Sequence, residues 1–114
     1  MQLNIKASNL ELTERIKGYA QEKMDMLDKY LGKFKIISAH FEVRKTTNHH
    51  LKGEIYAAEA NLVINGDLLR VEKTEKDLFK AIDKVKDHLE MMIKKYKDKK
   101  IDRKKQKQKL GAMV

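Results

Sequence analysis

Between residues 94 and 109 the chain sets ten cations, Lys94, Lys95, Lys97, Lys99, Lys100, Arg103, Lys104, Lys105, Lys107 and Lys109, against two carboxylates, Asp98 and Asp102. Cations at this density do one kind of chemistry well. They displace the counterions around a polyanion, and release of those ions drives binding whatever the local sequence of the polymer. Nearly all of the formal +9 charge lies in this run, which leaves residues 1–93 close to neutral. Two other uses compete, a merely solvated tail and an amphipathic membrane helix. The membrane use needs a broad apolar face, and past residue 96 only Ile101 and Leu110 offer one; the chain also has no tryptophan. Regularly spaced phosphates fit the pattern best. With aromatics at 6% and most of them inside apolar stripes, the backbone and shape of folded RNA suit it better than stacked bases.

Catalytic chemistry finds little support. Of the four histidines, His49 and His50 fall in a polar stretch beside Asn48 with no cysteine or carboxylate at ligand spacing. His40 falls on the polar side of a strand pattern and His88 on the polar side of a helix pattern, neither beside a nucleophile. No cysteine is present, which excludes disulfides and thiolate metal sites, and no Gly-rich phosphate loop occurs. The expectation is a non-enzyme without metal, cofactor or small-molecule substrate. No stretch approaches the roughly 20 apolar residues that cross a bilayer, so a soluble cytoplasmic domain is expected.

The elements that must carry these residues follow from periodicity. Leu3, Ile5 and Ala7 alternate with Asn4, Lys6 and Ser8, as in a half-buried strand. Thr13 is a plausible N-cap, with Glu14 in the first turn. Ile16, Tyr19, Ala20, Lys23, Met24, Leu27 and Leu31 then recur at helical spacing up to Gly32, a helix-stopping glycine. Residues 36–45 alternate again, with Ile37, Ala39, Phe41 and Val43 on one face. The stretch 46–50 reads as a hairpin loop. A strand over about 54–64 turns Tyr56, Ala58, Ala60, Leu62 and Ile64 to the core, and Asn65-Gly66-Asp67 is a strong turn signal. A fourth strand, Leu68 to Lys73, aims Leu69 and Val71 inward. Thr74 then caps a second helix, with Asp77 in a capping box, and its stripe is Leu78, Ile82, Val85, Leu89, Met92, Ile93 and Tyr96. The order is β-α-β-β-β-α: an α+β fold with two helices on one face of a four-stranded sheet.

Lengths sharpen this picture. A strand of eight residues spans about 27 Å, whereas a helix from 75 to about 104 spans about 45 Å. The second helix must overhang the sheet, and its apolar stripe ends where the lysines begin. Residues 1–105 are expected to form one binding domain and 106–114 a basic, flexible tail. With no second core and no evident dimerisation strand, a monomer is expected.

Several segments resemble the ribosome hibernation promoting factor family, which includes the ribosome-associated inhibitors and sigma-54 modulation proteins. They are Gln2-Leu3-Asn4-Ile5; Thr13 to Tyr30 with Tyr19, Glu22-Lys23 and Leu27; Ala58-Glu59-Ala60 running without a gap into Gly66 to Glu72; and Asp77-Leu78-Phe79-Lys80-Ala81-Ile82-Asp83. The likeness covers roughly residues 2–105 and is that of a short form or of the N-terminal domain of a long form. It implies a double-stranded-RNA-binding-like fold. It also implies docking on ribosomal RNA of the small subunit, where messenger and transfer RNAs would lie, with translation stopped by occupancy. The family-like basic positions are Lys17, Lys23 and Lys29 on the first helix and Lys95, Lys97 and Lys99 on the second. Lys84, His88, Lys94, Lys100, Arg103 and Lys104 complete the expected RNA-binding set. Two places depart from the family: His88 stands where relatives commonly carry Lys, and Met91-Met92 where they carry Arg-Gln. A general RNA-binding or RNA-chaperone module is the alternative from another class.

Overall fold

A computed structural model describes the backbone of residues 1–46 and 53–112 and, among these, the side chains as far as residue 99. Seven elements follow in order: β1 (Asn4–Ser8), α1 (Glu14–Asp25), α2 (Asp28–Leu31), β2 (Ile36–Thr46), β3 (Ile55–Ile64), β4 (Asp67–Glu75) and α3 (Leu78–Ala112). The strands form one sheet in the order β1-β2-β3-β4. β1 runs parallel to β2, and the other neighbours are antiparallel. A parallel pair needs a crossover connection, which α1 and α2 supply. The β3–β4 hairpin turns on Asn65 and Gly66, both at positive φ, as its two-residue loop requires. The expected hairpin loop over 46–50 lies, beyond Thr46, outside the described residues.

The core follows the alternation. Ala39, Phe41 and Val43 of β2, Ala58, Ala60, Leu62 and Ile64 of β3, and Val71 of β4 are buried beneath the helices. Ala20, Met24, Leu27 and Leu31 meet them from α1, α2 and the turn between. Leu78, Ala81, Ile82, Val85, Leu89 and Ile93 meet them from α3. Each large side chain buried there contributes about 1.5–3 kcal/mol. Cutting Ile82 or Leu89 back to alanine would cost about 2–5 kcal/mol, because the neighbours only partly fill the void.

Four expectations are corrected. The first helix is not continuous: its last turn tightens, with the Leu27 amide bonding Met24 O and that of Tyr30 bonding Leu27 O, each at 3.0 Å. The break falls between Asp25 and Asp28, whose carboxylates both hold the Met1 α-ammonium at 2.9 Å. Ile37 is not in the core but 66% exposed. A bulge admits it as an extra residue between the Ile36–Ile64 and Ser38–Val63 pairs, which strict alternation cannot foresee. Thr74 is not a helix cap, since β4 continues to Glu75 and Thr74 pairs with Ala57. Asp77 is the cap instead, its Oδ1 accepting from the Phe79 amide at 2.9 Å. Finally, α3 does not stop near residue 104 but runs to Ala112. Its 35 residues span about 52 Å, against about 30 Å for the nine of β4.

Candidate nucleic-acid interface

Thr13 starts α1 as expected, its Oγ1 accepting from the Ile16 amide at 3.2 Å. From there α1, α2 and α3 share a seam whose contacts climb both sides together, so the helices run in the same direction. The Arg15 guanidinium lies 4.8 Å above the Phe79 ring, and Tyr19 meets the same ring edge-on at 4.9 Å. One turn on, the Tyr19 hydroxyl donates to Asp83 Oδ1 at 2.6 Å, and Lys23 Nζ reaches the same carboxylate at 3.4 Å. The bond to Asp83 pushes the Tyr19 phenol up to about 12. Further along, the Tyr30 ring sits 5.0 Å from Lys29 Nζ and 4.8 Å from Lys94 Nζ. Glu90 is held below the usual carboxylate range, first by the hydrogen bond from Tyr30 and then by Lys86 and Lys94.

The expected binding residues therefore separate into groups. Lys84, His88 and Lys95 are exposed and share one outward face of α3 with Met91, which is 56% exposed. Met92 turns to the core edge, so the expected register holds. Lys84 is not free on that face, because its ammonium bonds Glu75 of β4 and holds that carboxyl below its usual range. Lys29, Lys94 and Lys99 are exposed. Lys23 is half-buried and engaged at the seam. Lys17 is exposed but lies elsewhere, in a shallow groove with Leu3, Ile5, Gly18 and Gln21 along β1. Lys97 is half-buried where α3 passes the turn after α2. A Cβ added to Gly32 would stand 3.6 Å from its Nζ, and Gly32 itself has φ +58°. The side chains of Lys100, Arg103 and Lys104 lie outside the described residues, although their backbone belongs to α3.

The opposite face of the sheet is organised differently. Arg44 contacts Glu72 and lies 3.6 Å from Glu59, while Arg70 reaches Glu59 at 3.2 Å and Glu72 at 4.0 Å. Asn61 donates to Glu59 at 3.0 Å. That bond, followed by the charges of Arg70 and Arg44, keeps the Glu59 carboxyl below its usual range against the opposing effect of burial. Two arginines and two glutamates thus neutralise one another across β2, β3 and β4. His40 is exposed on the same face, as expected. His49 and His50 lie outside the described residues. Among the described residues no three His, Asp or Glu side chains gather as a metal site, and no helix is long and apolar enough to cross a membrane.

Periodicity alone could not identify the residues that anchor these groups: Arg15, Phe79, Asp83 and the Tyr96 hydroxyl. The available signals were that Phe79 and Asp83 stand in the Asp77–Asp83 segment that carries the resemblance, and that Tyr96, an aromatic with a polar tip, closes the apolar stripe of α3.

Residues 3–101 match the model of a family described as sigma 54 modulation protein / S30EA ribosomal protein. A protein of Lactococcus lactis named ribosome hibernation promotion factor is 32% identical over 97 residues, which are 85% of this chain and 50% of that protein. The chain thus spans about half the length of that relative. The ribosome hibernation promoting factor of Escherichia coli is 29% identical over 99 residues, covering 87% of this chain and 96% of the relative. Among solved structures, the N-terminal domain of Thermus thermophilus Protein Y superposes with a TM-score of 0.68 at 32% identity, covering 82% of this chain and 94% of that one.

Proposed function

Because this chain belongs to the sigma 54 modulation protein / S30EA ribosomal protein family, we propose that it binds the small ribosomal subunit in the cytoplasm and holds ribosomes inactive. Ribosomal RNA is the direct partner. The protein occupies the sites of messenger and transfer RNA, and translation stops by occupancy, with no bond made or broken.

The observation that carries this reading is the length of α3 against the sheet. The helix runs back along β4 and out past its start at Asp67, while its sequence changes from an apolar stripe to a run of cations. A rigid rod of that kind, rooted in a neutral body, can enter a groove between RNA segments and neutralise phosphates on several sides. Lys95 and Lys99, with Lys100, Arg103 and Lys104 beyond them, are the principal contacts. Lys29 and Lys94 join them from the seam, and His88 and Lys84 extend the surface toward the body. Lys17, Lys23 and Lys97 contribute less, the first by its position, the second by its ion pair with Asp83 and the third by its partial burial. Residues 1–105 form the binding unit, extended by the basic segment 106–114, and the protein acts as a monomer.

Sedimentation through a sucrose gradient tests this reading. The protein should travel with isolated small subunits and be displaced by messenger and initiator transfer RNA. Equal binding to bulk RNA, without displacement, would favour a general RNA-binding module instead.

A further inference from the structure

Where α3 leaves the sheet, the Tyr96 side chain ties it down. The Tyr96 hydroxyl, with one proton to give, donates to Asp67 Oδ2 at 2.6 Å and lies 3.2 Å from the Ile64 carbonyl, which places it at the β3–β4 turn. Its ring meets Phe34, just after α2, edge-on at 5.5 Å. Lys97 packs beside Gly32 in the same corner. Two connections of the body, the β3–β4 turn and the link from α2 to β2, thus converge on one turn of α3. Tyr96 also ends the apolar stripe, with only Ile101 and Leu110 as large apolar residues further along the helix.

We propose that Tyr96 is a positioning residue that sets the direction of the basic arm relative to the body. The proposal rests on the reading that the arm binds the small subunit. A helix is stiff along its length but takes its direction from its root. Residues 97–112 extend about 24 Å, so a tilt of about 10° at Tyr96 moves the far end by about 4 Å. That shift is as large as the separation within an ion pair, and it would move several lysines off their phosphates together. The hydroxyl is the part that matters. The ring could pack on Phe34 over a range of angles, whereas a short, charge-assisted hydrogen bond to the Asp67 carboxylate fixes one angle.

The test is Tyr96→Phe, which keeps the ring and removes the grip on the turn. The chain has no cysteine, so spin labels can be placed cleanly at Thr74→Cys on β4 and Gln108→Cys on the arm. Electron–electron resonance then reads the distance between body and arm, and a parallel titration reads affinity for small subunits. The expected result is a broader distance distribution in Tyr96→Phe and affinity lower by about tenfold, with an unchanged helical signal. A distribution that matches the parent protein would overturn the proposal. So would a broadened distribution with undiminished affinity, since the arm's direction would then not matter. If the parent protein itself fails to bind small subunits, the functional reading fails, and the distance measurement still decides whether Tyr96 holds the arm.

Discussion

The open face of the sheet and the arm of α3 handle charge in opposite ways. On the sheet, Arg44, Glu59, Arg70 and Glu72 lie in cross-strand contact, and each charge is answered by a neighbour. From residue 94 to 109 ten cations share one helix with two carboxylates. A paired arginine has already exchanged its water for a carboxylate and gains little from a phosphate. A dense run of lysines with few carboxylates in its sequence gathers counterions that a polyanion can displace. The seam between the helices stands between these extremes, with Lys23 and Lys94 partly satisfied by Asp83 and Glu90 and partly presented on aromatic rings. The lesson is that basic residues in one small fold are not one population, and partner geometry separates those that hold the fold from those that can bind.

The largest effect that would break or sharpen this contrast is reversal of the arm. Changing Lys95, Lys99, Lys100, Arg103 and Lys104 together to Glu should abolish association with small subunits while leaving the thermal midpoint nearly unmoved. Retained binding in a pull-down would remove the arm from the account. Next come the two methionines. Met92→Arg asks a charge to enter the core edge and should destabilise by about 1–3 kcal/mol in urea unfolding. Met91→Arg should change stability by no more than about 0.5 kcal/mol and tighten small-subunit binding by about 1 kcal/mol, roughly fivefold. The opposite ranking of stabilities would mean that the two faces of α3 are misassigned.

A smaller effect tests the other pole. Glu59 is 15% exposed and answers both arginines, so Glu59→Ala should destabilise by about 1–2 kcal/mol and leave ribosome affinity where it was. A loss of affinity at unchanged stability would place the sheet in the interface. The smallest effect is at the seam. Tyr19 keeps its proton up to about pH 12, compared with about 10 for a free phenol. For a group whose pKa rises on folding, the stabilisation is complete below the unfolded value and disappears as pH climbs through the folded one. The late tyrosinate absorbance step should therefore shift back toward pH 10 in Asp83→Asn, and no shift would unmake the Tyr19–Asp83 bond.

Much of the fold was legible because hydrophobic period and turn chemistry agreed: Thr13 capped, Asn65-Gly66 turned, and Ala58, Ala60, Leu62 and Ile64 faced inward. What stayed hidden depended on competition between neighbours. Ile37 has the right residue type for the core, but one extra residue in β2 turned it out. Thr74 is a good cap in isolation, yet β3 offered it a pairing partner and Asp77 capped three residues later. For the site, the density of cations on α3 was plain, whereas the engagement of Lys23 and Lys84 was not. Their partners, Asp83 and Glu75, are each distant in sequence or set on another element.

The most direct test of the central claim, that the cations of the arm carry the binding, is the salt dependence of small-subunit affinity. For about six phosphate contacts, log affinity should fall against log salt with a slope of roughly −4 to −5. Changing one arm lysine, Lys99, to Gln should lower the slope by about 1. A parent slope near zero, with affinity insensitive to salt, would contradict the account.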